Sequence, residues 1–177
     1  QTTEQVQKTL ELAIAGGVNH LSVYALTPEV GTPIYSDYLN GLLPSDDEVA
    51  DIYDGVVEFL KEKGFDRYEI SNFAKPNYQS RHNLNYWKRG EYIGVGVSAS
   101  SFMDNRRFTN TFKIDEYINA IIYNKSPEIS SDVIEGDDAK FEFIMLGLRT
   151  TNGISINEYN KTFDSDFDSE YQAVLQK

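Results

Sequence analysis

The chain of 177 residues contains no cysteine. Disulfides, thiolate zinc sites, cysteine nucleophiles and iron–sulfur ligation by these residues are therefore excluded. The sequence also lacks the run of about 20 apolar residues that a membrane helix needs, and its beginning lacks the basic-then-apolar pattern of a secretory signal. We therefore expect a cytoplasmic protein with no membrane span.

Basic residues are few as well. Sixteen Lys and Arg stand against 28 Asp and Glu, which gives a formal net charge of −12. Because this charge repels phosphate backbones, nucleic acid is a poor candidate partner. Hydrophobic residues make up 40% of the chain and aromatic residues 13%, which is enough apolar material for an ordered, globular protein.

Three pairs of residues have the spacing of a capping box, in which a Ser or Thr and a Glu or Gln three residues later hydrogen-bond each other's backbone. The pairs are Thr2 with Gln5, Ser45 with Glu48, and Ser155 with Glu158. Apolar residues at steps of three and four follow each pair, so each predicts the start of an amphipathic helix. The same spacing predicts a further helix from Ile114 to Ile122.

Strand-like runs occur at residues 20–26, 67–73 and 91–99. A helix between the first two runs, with short linkers, predicts a parallel β/α arrangement. The third run is interrupted by Gly94 and Gly96, which leave room for another backbone or a cofactor. These glycines lack the third glycine of a dinucleotide-binding fingerprint, so that function is set aside.

The polar, acidic stretch at residues 126–138 predicts a boundary between two domains. Residues 1–125 would form the first, and residues 126–177 the start of a second, truncated one, since few elements remain before Lys177 to close a core. Unpaired sheet edges in such a fragment predict a dimer or marginal stability.

The segment at residues 80–87 holds one of the two histidines and the only tryptophan. The His82 imidazole can ligate haem iron, Tyr86 and Trp87 can stack on a flat macrocycle, and Asn83 can orient it. The residues alone favour a plainer interpretation, in which the rings are core anchors and His82 is a loop histidine. His20 precedes its strand and is interpreted as structural. A zinc site shared by His20 and His82 would have only two ligands, 62 residues apart, and no cysteine.

Four segments in collinear order closely resemble the HemW branch of the radical S-adenosylmethionine family, whose members are also described as oxygen-independent coproporphyrinogen III oxidase-like. They lie at residues 20–32, 68–76, 80–87 and 92–99, and the likeness continues through residues 145–153. The resemblance implies an α/β fold: the later part of a partial β/α barrel, followed by the start of a small, mainly helical C-terminal domain. It also implies a [4Fe-4S] cluster and S-adenosylmethionine, with the cysteine ligands upstream of this chain, so the fragment alone is expected to be inactive.

The resemblance further implies a haem chaperone that delivers haem to a recipient protein. The family's haem-binding motif, His-Asn-x-x-Tyr-Trp, stands here as His82, Asn83, Tyr86 and Trp87, with His82 the candidate iron ligand. An oxygen-independent coproporphyrinogen III oxidase and a cofactor-free folding unit are the two competing hypotheses. By the same resemblance, four further residues would lie near S-adenosylmethionine: Leu26 and Thr27 through their backbone, and Gly94 and Gly96 inside the barrel.

Overall fold

The computed structural model describes residues 2–176, which form two compact units. Unit 1 ends at Ser80 and unit 2 begins at Arg81. Among the described residues, no helix is both long and apolar enough to cross a membrane.

Unit 1 contains three helices: α1 (Thr3–Ala15), α2 (Pro33–Leu39) and α3 (Asp46–Glu62). The first two predicted capping boxes are confirmed at the starts of α1 and α3, with both reciprocal hydrogen bonds present. At α3, the hydrogen bonds from Ser45 hold the pKa of Glu48 below its ordinary value. The apolar sides of α1 and α3 meet in the core of this unit, around the buried residues Leu10, Val56, Leu60, Phe65 and Phe73.

The sheet of unit 1 has three short strands: β1 (His20–Ser22), β2 (Asp66–Arg67) and β3 (Asn72–Ala74). Their order is β1-β3-β2 and both pairs are antiparallel, so the predicted parallel arrangement is wrong. The run at residues 67–73 is a reversal rather than one strand, with the Tyr68 amide donating to the Asn72 carbonyl at 3.1 Å. Hydrogen bonds from the Tyr53 hydroxyl to the Ile70 carbonyl and between His20 and Tyr68 hold this reversal in place.

Unit 2 has a second antiparallel sheet, β4 (Ser100–Met103), β5 (Arg106–Asn110) and β6 (Glu128–Val133), in that order. The strand predicted at residues 91–99 is wrong: only Tyr92 pairs, through an isolated bridge to Phe102. The polar stretch at 126–138 contains β6, whose pairing with β5 crosses the predicted domain boundary at 125/126. That boundary stays a prediction, as does the dimer, although each sheet leaves its outer strands unpaired on one side among the described residues.

Five helices complete unit 2 as described: α4 (Arg81–Trp87), α5 (Ile114–Ile122), α6 (Gly136–Gly147), α7 (Ile156–Phe163) and α8 (Phe167–Leu175). The helix predicted from the apolar residues between Ile114 and Ile122 is confirmed as α5. At α7 the Ser155 hydroxyl accepts from the Glu158 amide, which is one half of the third predicted capping box. Helices α6 to α8 pack around Tyr159, which is fully buried.

Candidate functional site

Helix α4 carries all four residues of the predicted haem motif. His82 is exposed and Tyr86 is 37% exposed, while Asn83 and Trp87 are half-buried. Asn83 already has a partner within the protein. The structure therefore presents an imidazole and two aromatic rings on one short helix at the surface of unit 2.

A series of aromatic ring contacts supports the exposed imidazole of His82. His82 and Tyr86, one helical turn apart, meet edge to face with their ring centroids 4.7 Å apart. Tyr86 meets Tyr92 in the same way at 4.6 Å, and Tyr92 lies 6.5 Å from the buried ring of Phe102 on β4. The position of His82 is thus linked to the core of unit 2 through a series of ring contacts.

The two histidines differ in what their nitrogens contact. His20 is half-buried, and its Nε2 lies 2.8 Å from the Tyr68 hydroxyl, which agrees with a structural role. Neither ring nitrogen of His82 has a hydrogen bond to any residue in the range 2–176. An exposed imidazole with its nitrogens open is chemically able to coordinate iron.

Trp87 contacts a cation that the sequence analysis missed. The guanidinium of Arg149, which follows α6, lies 5.8 Å from the centre of the Trp87 ring, in the range of a cation–π contact. Arg149 is exposed. It is distant from α4 in the sequence, so no local spacing pattern points to it.

A buried ion network fixes the segment that follows α4. Arg89 Nε lies 2.9 Å from Glu142 Oε2 and Arg107 Nη2 lies 2.7 Å from Glu142 Oε1, with the Arg89 and Glu142 side chains about nine-tenths buried. Both guanidinium groups also lie over the ring of Phe102, at 4.8 and 5.2 Å. Burial opposes the charge of Arg107, but hydrogen bonds and the charges of Glu142 and Tyr92 raise its pKa above its ordinary value.

The side chain of Asn85 fixes the chain at the C-terminal end of α4. The Asn85 amide nitrogen donates to the Glu91 carbonyl at 2.9 Å, and the Gly90 amide donates to the Asn85 carbonyl at 2.8 Å. A Cβ atom at position 90 would collide with the Asn85 side-chain amide. Asn85 and Gly90, which sequence reasoning did not single out, therefore shape the helix that carries the motif.

The solved structure of coproporphyrinogen III oxidase, HemN, from Escherichia coli, a radical SAM enzyme, is similar in fold. It aligns with 99% of this chain and 44% of its own, with a TM-score of 0.74 and 19% sequence identity. The HemN C-terminal domain family matches residues 134–177. The predicted fold class, the C-terminal part of a radical SAM α/β fold, is confirmed.

Several curated relatives match nearly the whole chain. Haem chaperone HemW from Lactococcus lactis is 31% identical over 173 residues, covering 97% of this chain and 45% of the relative. HemW from Bacillus subtilis is 30% identical (99% and 47%), and HemW from Escherichia coli is 38% identical (84% and 39%). The chain is similar to HemW proteins over most of its length. It spans less than half the length of these relatives.

The first pair of residues predicted near S-adenosylmethionine is Leu26 and Thr27. Both lie in an exposed, irregular segment after β1. Their backbone groups have no hydrogen-bond partner among the described residues, as a backbone contact to an adenine would require. Leu26 also borders an apolar pocket of about 460 Å³ in unit 1. Its lining carries no charged side chain, so the pocket does not match the charged methionine part of S-adenosylmethionine.

The second pair, Gly94 and Gly96, lies in unit 2, and the fold itself requires both glycines. A Cβ at Gly94 would collide with the Ser100 carbonyl, while the Gly94 amide donates to Ser101 Oγ at 3.0 Å. Gly96 has a φ of +110°, which favours glycine, and its amide donates to the Tyr117 hydroxyl at 3.1 Å. A cofactor contact at these four positions stays a prediction.

No group of three or more His, Cys, Asp or Glu side chains within residues 2–176 is gathered in a way that could hold a metal ion. The residues present do not fit an iron–sulfur cluster, since the chain supplies no thiolate.

Proposed function

We propose that this chain provides the haem-binding helix of a HemW-type haem chaperone, which passes haem to a recipient protein. The observation that supports the proposal is His82: an exposed imidazole whose nitrogens have no hydrogen bond to the described residues, held by the Tyr86 ring on helix α4. In this role His82 donates a nitrogen lone pair to the haem iron. Tyr86 and Trp87 give the porphyrin flat apolar contacts, and Asn83 helps to orient it.

Because α4 is exposed, it is better suited to bind haem transiently, as cargo, than to hold it as a permanent prosthetic group. A haem on a surface helix keeps much of its area open, so a recipient can engage it before it leaves His82. Burial of apolar area contributes roughly 25 cal/mol per Å², so an open site binds haem more weakly than an enclosing pocket and permits release.

The comparisons favour a chaperone over an oxidase. The relatives from Bacillus subtilis and Escherichia coli that are 30% and 38% identical carry the name haem chaperone, whereas the coproporphyrinogen III oxidase is 19% identical. In the longer protein we propose a [4Fe-4S] cluster held by residues outside this sequence. We also propose S-adenosylmethionine with its adenosine near Leu26 and Thr27 and near Gly94 and Gly96.

Titration with haemin, followed in the Soret region, tests the assignment. We expect His82→Ala to change the Soret spectrum and to weaken binding by at least about tenfold, since even partners outside a metal's own ligands contribute that much. His20→Ala is the matched control: it removes the other histidine, in unit 1, and we expect the wild-type spectrum. Added imidazole should restore a coordinated spectrum to His82→Gly.

Identical spectra and affinities for wild-type and His82→Ala proteins would remove His82 from this role. Delivery is tested by mixing the haem-loaded protein with an apo-haem protein and following transfer spectroscopically. Formation of protoporphyrinogen from coproporphyrinogen under anaerobic conditions, with reductant and S-adenosylmethionine, would contradict the chaperone in favour of the oxidase.

A further inference from the structure

Arg149 is a cation without an anionic partner in an acidic chain. Its guanidinium lies over the Trp87 ring, and it has no ion pair or side-chain hydrogen bond with any residue the structure describes. By contrast, the neighbouring arginines Arg89 and Arg107 both bind Glu142. Arg149 is therefore held in place by an aromatic ring while its charge remains uncompensated.

The charge around α4 is locally opposite to that of the whole chain. The chain carries a net charge of −12, yet residues 81–90 contain Arg81, Lys88 and Arg89 and no acidic residue. Arg89 is neutralised by Glu142, while Arg81 and Lys88 are exposed and have no ion pair among residues 2–176. The surface that carries the motif thus favours an anionic ligand, and Arg149 adds to it from the end of α6.

Contact with an indole leaves a guanidinium able to bind an anion. The five N–H donors of a guanidinium lie in its plane, and those of Arg149 make no hydrogen bond to any described residue, so they remain free for an anion. Two of these donors match the two oxygens of a carboxylate. Lysine has no such fork, so Lys88 is a poorer partner for a planar carboxylate.

We propose that Arg149 binds a propionate carboxylate of the tetrapyrrole whose iron is ligated by His82, with Trp87 holding the guanidinium in position. This inference rests on the proposed function. It adds that Arg149 and Trp87 recognise the propionate group of the ligand. His82 and Trp87 are five residues apart on α4, which is about 7.5 Å along a helix axis and about 140° around it. That separation is on the scale of the distance from the iron at the centre of a haem to the propionates at its edge.

A comparison of two ligands with two proteins isolates this contact. We would measure the affinity of wild-type and Arg149→Ala proteins for haemin and for haemin dimethyl ester, in which the propionates are esterified and uncharged. Hydrogen bonds to charged groups contribute about one power of ten in affinity, so we expect Arg149→Ala to bind haemin about tenfold more weakly. For the dimethyl ester we expect wild-type and Arg149→Ala proteins to bind alike.

Two further variants sharpen the result. Arg149→Lys keeps the charge and loses the planar fork, so its affinity for haemin should lie between those of wild type and Arg149→Ala. Arg67→Ala removes one exposed arginine from unit 1 and should leave both affinities unchanged, which controls for net charge. Thermal melts of all variants verify that each is folded at the temperature of the titration.

The possible failures are distinguishable. If Arg149→Ala weakens haemin and its dimethyl ester equally, or weakens neither, the carboxylate contact is overturned while haem binding stands. If the wild-type protein binds neither ligand, the proposed function falls and this inference falls with it.

Discussion

Unit 2 contains two aromatic clusters that differ in how their polar atoms are satisfied. The open cluster consists of His82, Tyr86 and Tyr92. The closed cluster consists of five rings from α6, α7 and α8: Phe143, Tyr159, Phe163, Phe167 and Tyr171. Neighbouring rings in both clusters meet mainly edge to face or tilted, with centroids within about 4.5–7 Å.

The difference lies in exposure and partners. Tyr159, at the centre of the closed cluster, is fully buried, and its hydroxyl donates to Glu170 Oε2 at 2.7 Å. In the open cluster, Tyr86 is 37% exposed and the nitrogens of His82 have no hydrogen bond to described residues. The same ring geometry therefore serves stability where every polar atom is satisfied internally, whereas in the open cluster it leaves the imidazole nitrogens of His82 without a hydrogen bond to described residues.

Removing the central ring of the closed cluster should have the largest effect on stability. Tyr159→Ala leaves a cavity among four rings and is expected to lower the free energy of unfolding by about 4 kcal/mol, as large-to-small core substitutions do. Urea denaturation followed by circular dichroism measures this loss. A loss below about 1 kcal/mol would mean that the closed cluster is not the stabilising one.

Glu142→Ala breaks the ion network that Glu142 forms with Arg89 and Arg107. It leaves Arg89 and Arg107 without an anion beside Phe102, and we expect a loss of about 3 kcal/mol because buried guanidinium charge becomes uncompensated. It should also weaken haemin binding, since Arg89 fixes the chain directly after α4. Glu128→Ala is the control: its pair with Arg106 is more exposed, with side chains 28% and 38% accessible, and should cost less than about 1 kcal/mol.

Acid should weaken the closed cluster through Glu170. Hydrogen bonds from Lys140, Ser165 and Tyr159 lower the pKa of Glu170 from an ordinary value of 4.5 to about 2. Because the folded pKa lies below the unfolded one, this stabilisation is present above pH 4.5 and is lost as the pH falls towards 2. Urea midpoints measured between pH 6 and pH 2 should therefore fall less in Glu170→Gln than in wild type, and parallel curves for the two proteins would contradict this.

Tyr86→Ala should have the smallest effect on stability and a clear effect on binding. Because Tyr86 lies at the surface of the open cluster, we expect the free energy of unfolding to change by less than about 1 kcal/mol. The affinity for haemin should fall severalfold, because the His82 ring loses its edge-to-face neighbour. A large loss of stability with unchanged haemin affinity would mean that the open cluster stabilises the fold and does not bind haem.

The helices α1, α3, α5 and α7 were predictable from the sequence because their signals are local, whereas α2 and α4 were not predicted. The capping boxes at Thr2 and Ser45 and the apolar spacing of α5 depend on residues within a few positions of one another. The pairing of the strands was not predictable, because it depends on distant partners: β1 lies inside the predicted run at residues 20–26, but it pairs antiparallel. The run at residues 91–99 has strand composition, but Gly94 packs against the Ser100 carbonyl and Gly96 takes a left-handed φ.

One local signal for the missed sheet was present. Asp104 and Asn105 both have positive φ and connect β4 to β5 as a two-residue hairpin turn, for which Asp and Asn are favoured types. For the candidate site, the motif residues on α4 were found because they are contiguous. Glu142, Arg149 and Tyr92 were missed, since only the folded chain brings them to α4.

The helix that carries the four motif residues also depends on Asn85 and Gly90, which lie outside the four defined positions. Asn85 occupies the space that a side chain at position 90 would need, and its amide caps the Glu91 carbonyl. Among homologous sequences these two sites should therefore covary: any residue larger than glycine at position 90 should be accompanied by a smaller one at position 85. An engineer who transplants this helix into another scaffold has to carry the pair across together.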